Sequence, residues 1–194
     1  MKIHVVRHGE AGDDIADSYG GAADFRLTDN GREGAHAAAR ALAGLSVEAV
    51  FSSPLSRATE TAEIIAKELG GLPLTIVPEL RERNSYGVLS GVPKDRAKEL
   101  FGYILDELKE KPGYSREPLL GAEDFDRFVE RVRAGFQLVT DESEAKNYDE
   151  IVIVSHGKFT QALADFVFRF GDSVSIDLSA ILSVDYTASQ SVLV

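Results

Sequence analysis

Four short, mostly apolar runs, Ile3–Val6, Val47–Phe51, Leu74–Val77 and Ile151–Val154, are what most restricts the fold of this chain. Runs this brief and rich in β-branched residues read as strands buried on both faces. Between them lie segments of helical periodicity. Parallel neighbours in a sheet need long crossovers, usually helical, so strands alternating with helices predict an α/β fold. The expectation is one domain over residues 1–194: a three-layer α/β/α sandwich around a mainly parallel sheet. Residues 79–149 hold few strand signals and read as a helical insertion capping one end of that sheet.

Local signals set the expected boundaries. Thr28 or Asp29 caps a helix whose apolar positions are Ala35, Ala38, Ala39 and Leu42, ending at Gly44. Ser53-Pro54 opens a second helix running to Gly70-Gly71, with proline suited to the first turn. Pro93 to Lys111 predicts a helix with Ala97, Leu100, Ile104 and Leu108 on one face, broken at Lys111-Pro112-Gly113. Asp124 to Leu138 predicts another, with Phe125, Phe128, Val132 and Phe136 as core, followed by a polar, exposed stretch over 141–149. Residues 11–24, 79–91 and 114–121 read as loops. A helix follows Gly157, and Ile181–Tyr186 with Ser191–Val194 read as a terminal hairpin at a sheet edge.

The net charge of −11 excludes a broad attraction to nucleic acid or an anionic membrane, though a local arginine cluster can still bind a small anion. With no cysteine there is neither a disulfide framework nor a thiolate metal site. Arg7 and His8 interrupt the first apolar run too early for a signal peptide. A cytoplasmic protein of open oligomeric state is expected.

Reactive side chains gather where strands end. Arg7-His8-Gly9-Glu10 follows the first strand and Ser53-Pro54-Leu55-Ser56-Arg57-Ala58 the second. Leu80-Arg81-Glu82-Arg83 follows the third and Ser155-His156-Gly157-Lys158 the fourth. In open α/β sheets the carboxyl ends of strands are where ligands bind. Two arginines, two histidines and a carboxylate brought together there suit a tetrahedral oxyanion, because planar guanidiniums bind phosphoryl oxygens bidentately. No metal-ligand spacing is evident, and neither a metal nor another cofactor is expected. His4, His36 and Glu10 read as structural or exposed.

These motifs, in this order over residues 3 to about 170, resemble the histidine phosphatase superfamily, which contains phosphoglycerate mutases and many small-molecule phosphatases. The resemblance implies a covalent phosphohistidine mechanism with His8 as nucleophile. It implies Arg7, Arg57 and His156 as donors to the phosphoryl oxygens, and Glu82 as general acid and then base. Gly157 and Lys158 join Arg7, Arg57 and His156 as expected substrate contacts, for a small phosphorylated substrate.

The chain also departs from the family pattern. Relatives often carry Ser or Thr after Arg-His-Gly-Glu and an Asn three residues on; here stand Ala11 and Asp14, and an acid there would repel phosphate. Leu80–Arg83 followed by Tyr86-Gly87 looks like a mutase loop with one residue added. Lys158-Phe159 stand where mutases continue with Asn-Ser. A phosphatase is therefore expected, with a mutase-like phosphotransferase and a non-catalytic phosphate-binding domain as rivals.

Overall fold

In the computed structural model, which describes residues 1–109, 119–170, 174–187 and 190–193, the chain forms a six-stranded sheet. Its strands are β1 (Lys2–Arg7), β2 (Ala49–Ser52), β3 (Leu74–Ile76), β4 (Glu150–Ser155), β5 (Ile181–Thr187) and β6 (Gln190–Leu193), in the order β3-β2-β4-β1-β5-β6. The first four are mutually parallel, and β5 and β6 close one side as an antiparallel hairpin. The sheet has helices on both faces.

Side-chain alternation along each strand divides the core. Ile3, Val5, Phe51, Ile151 and Ile153 point to one face and meet Phe128, Val132, Phe136 and Val139 of α5 (Phe125–Lys146). The same cluster takes in Phe159, Ala162 and Leu163 of α6 (Gly157–Leu163). Val6, Val50, Val152 and Val154 point the other way. They meet the small side chains of α2 (Asp29–Leu42) and α3 (Ser56–Glu68), chiefly Ala38, Ala39, Ala58 and Ala62. Alanine on these two helices lets both lie close to the sheet and to each other. Two cores thus share one set of strands.

Most expected boundaries hold within a turn, and the exceptions have local causes. A helical turn, α1 (Gly12–Ile15), sits within the stretch expected as loop, because the Asp14 carboxylate accepts from Ala11 N at 2.8 Å. Thr28 caps α2, its hydroxyl accepting from Gly31 N. The helix after Pro54 starts at Ser56.

In α4 (Lys94–Lys109) the packed side chains are Ala97, Phe101 and Leu105; Leu100 is 49% exposed. The helix kinks at Phe101, whose φ of −135° is not helical, and the kink turns Leu100 outward. Helix α5 runs eight residues past the expected end at Leu138, because Val139 and Ser143 continue its buried stripe. It stops at Asn147, in the left-handed conformation that tolerates asparagine. The break expected at 111–113 and most of the loop at 114–121 lie outside the described residues, as does Val194.

No helix among the described residues is long and apolar enough to cross a membrane. His4, fully within the core, hydrogen-bonds Glu150 at 2.9 Å and Ser183 at 2.8 Å, a structural role.

Phe128 fills the space between α5 and the sheet with no exposed surface. Phe128→Ala should cost about 3–5 kcal/mol of folding free energy, read by urea denaturation. A loss below about 1 kcal/mol would mean that Phe128 is not a packing centre of this core.

Candidate active site

Strand register decides which polar side chains meet. In the parallel pairing of β1 with β4, Arg7 lies opposite Ser155, and the ladder continues one step through His8 N to Ser155 O at 3.0 Å. On the other side of β4, Ser53 N donates to Val154 O at 3.0 Å. His8 and His156 therefore leave adjacent strands at the same level, with Ser53 one step below them on the far side of β4. The two imidazole centroids are 5.0 Å apart.

The His8 ring is held by two bonds that require the same tautomer. Nδ1 lies 2.7 Å from Gly9 O, and a carbonyl only accepts, so Nδ1 carries the proton. Nε2 accepts from Arg57 Nε at 3.2 Å, so it bears the lone pair. Burial, and then the Arg57 guanidinium, lower the His8 pKa from 6.5 to about 3. The outcome is a neutral imidazole with a nucleophilic nitrogen aimed away from its own backbone.

Gly9 makes this approach possible. A Cβ there would collide with the Gly31 carbonyl at the start of α2, and a Cβ on Gly31 would collide with Glu10 O. Thr61, one turn after Arg57, accepts from Gly9 N at 3.1 Å and donates to Arg57 O at 2.7 Å.

The donors around Nε2 are only partly used. Arg57, 2% exposed, also donates to Ala23 O at 2.8 Å and Gly21 O at 3.1 Å, which anchors the loop before α2. Arg7 donates from Nη1 to Ile176 O at 2.9 Å, while its Nε is buried without a hydrogen-bond partner among the described residues. His156 is fully buried, its pKa pushed well below 6.5 by burial and then by His8, Arg57 and Arg7. Its Nε2 lies 2.7 Å from Ser53 Oγ, and its Nδ1 has no partner among the described residues. Ser53 Oγ also accepts from Leu55 N at 3.3 Å, and its hydroxyl can pair with either tautomer of the His156 ring. In the tautomer that accepts from Ser53, the N–H of the neutral ring is on Nδ1.

Glu82 approaches from the loop beyond β3. Oε1 accepts from Arg83 N at 2.8 Å and Phe159 N at 3.2 Å, and Oε2 from Lys158 N at 3.2 Å, so the carboxylate sits against the first turn of α6. Arg131 of α5 fixes the loop from behind. It pairs bidentately with Glu123, both N–O distances being 2.7 Å. It also donates to Glu79 O at 2.6 Å, Arg81 O at 2.8 Å and Glu82 O at 3.4 Å.

Arg7, His8, Arg57, Glu82 and Lys158 all line one cavity of about 470 Å³. His156 stands behind this wall, against His8, and does not line it. Gly157 does not line it either; it lies beside the Arg7 guanidinium, where a Cβ would be 3.4 Å from Cζ. Lys158 Nζ also donates to Gln161 at 3.4 Å.

Sequence reasoning passed over Ser53, Thr61, Arg131 and Asp13, the last of which also faces the cavity. Two of them carried a signal: Ser53, which opens the motif after the second strand, and Thr61, by its spacing of four from Arg57 on one helix.

A profile described as the histidine phosphatase superfamily, branch 1, matches residues 3–194. The chain belongs to the histidine phosphatase superfamily. Its resemblance to individual members of the superfamily is looser. The 2,3-bisphosphoglycerate-dependent phosphoglycerate mutase 1 of Latilactobacillus sakei is 39% identical over 102 residues, 50% of this chain and 43% of the mutase. The chain thus matches under half the length of that relative. Among solved structures, the α-ribazole phosphatase of Shigella flexneri superposes with a TM-score of 0.82 at 24% identity, covering 100% of this chain and 94% of that one. The phosphoglycerate mutase of Bacillus anthracis gives 0.84 at 22%, covering 100% and 91%. A phosphatase and a mutase share this fold equally well, so the fold does not choose between them.

The geometry of this superfamily site makes one direct statement about His8. By long-range ¹H–¹⁵N NMR, its ring should stay neutral from about pH 4 to 8, with Nδ1 protonated and Nε2 bare. A midpoint near the ordinary 6.5 would show that burial and Arg57 do not hold the ring neutral, and a proton on Nε2 would overturn the tautomer.

Proposed function

We propose that this superfamily member is a phosphomonoesterase that works through a phosphohistidine on His8, without a metal or other cofactor, on a small phosphorylated substrate. One observation carries the reading: a bare imidazole nitrogen is surrounded by donors with no protein acceptor to satisfy them. Arg7 Nε and His156 Nδ1 lack partners among the described residues, and Arg57 Nε rests on the nucleophile itself. A bound phosphoryl group would accept from Arg7 and Arg57, and from His156 Nδ1 where the group reaches past the wall to the ring in its Nδ1–H form; Arg57 would release Nε2 as it turned to the oxygens.

The reaction divides into two displacements at phosphorus. In the first, Nε2 attacks in line with the leaving oxygen; the P–N bond forms, the P–O bond breaks, and Glu82 gives its proton to the departing oxygen. In the second, Glu82 takes a proton from water, the water oxygen bonds to phosphorus, and the P–N bond breaks. Phosphate leaves and His8 returns to its neutral state. Arg7, Arg57 and His156 carry the charge on the three equatorial oxygens throughout. Lys158 and Gly157 are proposed as lesser substrate contacts at the start of α6.

Mutase activity is the second reading, favoured by the identity of the Latilactobacillus sakei relative. Against it stand Lys158-Phe159 after His156-Gly157 and the extra residue before Tyr86-Gly87. A mutase also has to shield its phosphohistidine from water until the product has exchanged. Assay with an activated aryl phosphate and with phosphoglycerate separates the two.

His8→Ala should lower hydrolysis of the aryl phosphate at least about 10³-fold, since His8 is the one histidine lining the cavity among the described residues and its Nε2 bears a lone pair held between the arginines. Retention of a tenth of the activity would refute the assignment. Glu82→Gln should cost alkyl phosphates about 10²–10⁴-fold and aryl phosphates far less, because a poor leaving group needs the proton more. Equal losses for both classes would point to a different acid.

A further inference from the structure

Asp13 is out of keeping with a cavity built for an oxyanion. It lines the same wall as Arg7, His8 and Arg57, directly after the Arg7-His8-Gly9 segment. Its neighbour Asp14 has a structural use, accepting from Ala11 N at 2.8 Å. In Asp13 one carboxyl oxygen, Oδ1, is buried and finds no hydrogen-bond partner among the described residues. Gly20 packs on the carboxyl so closely that a Cβ there would collide with Oδ2. A carboxylate in this position would repel a phosphoryl group, whereas a carboxylic acid is a donor to it.

The surroundings shift Asp13 toward the acid. Burial pushes its pKa above the ordinary value and the Asp14 carboxylate adds to this, while Arg57, a hydrogen bond from its own backbone amide and Arg7 oppose the shift. The other charged or titratable groups around the cavity are His8, Glu82, Arg83, Tyr86, Lys94 and Lys158. Of these His8 is neutral, Lys94 is paired with Asp17, and Glu82 is turned to the first turn of α6.

We propose that Asp13 is a phosphate-binding residue that works as the neutral acid, its carboxyl donating a hydrogen bond to a phosphoryl oxygen, so that the site takes up a proton when an oxyanion binds. This rests on the cavity being a phosphoryl site, as argued above. It names a donor that the four strand-end motifs do not contain. A bound anion stabilises the neutral form of Asp13 further, so binding and protonation are linked. As pH rises through the Asp13 titration the donor is lost and a negative charge appears beside the ligand. Affinity for the anion must then fall.

Calorimetric binding of inorganic phosphate from about pH 5 to 8 tests this with wild type, Asp13→Asn and Asp13→Ala. Changes in the phosphate itself and in Glu82 are common to all three proteins. Toward the acid end of this range the wild type should approach Asp13→Asn, since protonation gives Asp13 a donor as well. At about pH 8 Asp13→Asn should bind about tenfold more tightly, because the amide keeps an N–H and carries no charge. Asp13→Ala should bind more weakly than Asp13→Asn at every pH. Parallel profiles for wild type and Asp13→Asn would overturn the role of Asp13 and leave the phosphate site standing. A folded wild type that binds no phosphate would overturn both.

Discussion

The site depends on the register of three parallel strands. Because Arg7 lies opposite Ser155, His8 and His156 reach the carboxyl edge together; because Ser52 lies opposite Val154, Ser53 reaches it one step below them. Side chains alternate strictly along a strand, so a slip of one residue would turn one imidazole to the opposite face. The two apolar cores prevent that slip. Ile3 and Val5 are committed to the face of α5, and Val6 to the face of α2 and α3, with no exposed surface on any of them. Packing that has no chemistry in it therefore sets the 5.0 Å between the rings.

Electrostatics at this edge run against those of the whole chain. A protein with a net charge of −11 places Arg7 and Arg57 beside one another around a histidine, and holds the histidine neutral by burial and by those same charges. Two buried guanidiniums would be costly alone, and backbone carbonyls from residues 21, 23 and 176 meet part of that cost. The donors left over, Arg7 Nε and His156 Nδ1, mark where an anion would complete the shell. A negative surface slows the approach of an anionic substrate, so selectivity in this scheme rests on short-range hydrogen bonds rather than on steering.

Sequence periodicity made the strands, the helices and the strand-end motifs legible, because buried strands and capped helices have local causes. It failed where the cause was tertiary. Leu100 and Phe101 exchange roles through a kink that no residue of α4 announces, and α5 outruns its apolar pattern because Ser143, a polar residue, is buried under it. The same limit applies to the site. Arg7, His8, Arg57, Glu82 and Lys158 do share one cavity, as their motifs imply, but His156 stands behind the wall and Gly157 off it. Asp13 and Asp14 look equivalent in sequence and both line the cavity; only the turn of α1 ties the Asp14 carboxylate to a backbone amide and leaves Asp13 Oδ1 without a partner among the described residues. Arg131 is one charge among many on a long helix until its contacts with three loop carbonyls are seen.

Those contacts bear on how the proposed acid and nucleophile stay in step. Glu82 does not extend from a strand, so the sheet alone cannot place it. Its backbone is held by Arg131, itself locked to Glu123, and its carboxylate by the amides of Lys158 and Phe159. Those amides belong to the helix that begins directly after His156, and Ser155 Oγ donates to Leu80 O at 2.7 Å beneath the same loop. Acid, donor histidine and strand end are thus tied to one junction, between β4 and α6. A displacement of the loop would have to break contacts on α5 and α6 together, so the distance between Glu82 and His8 is fixed by two helices acting as one support.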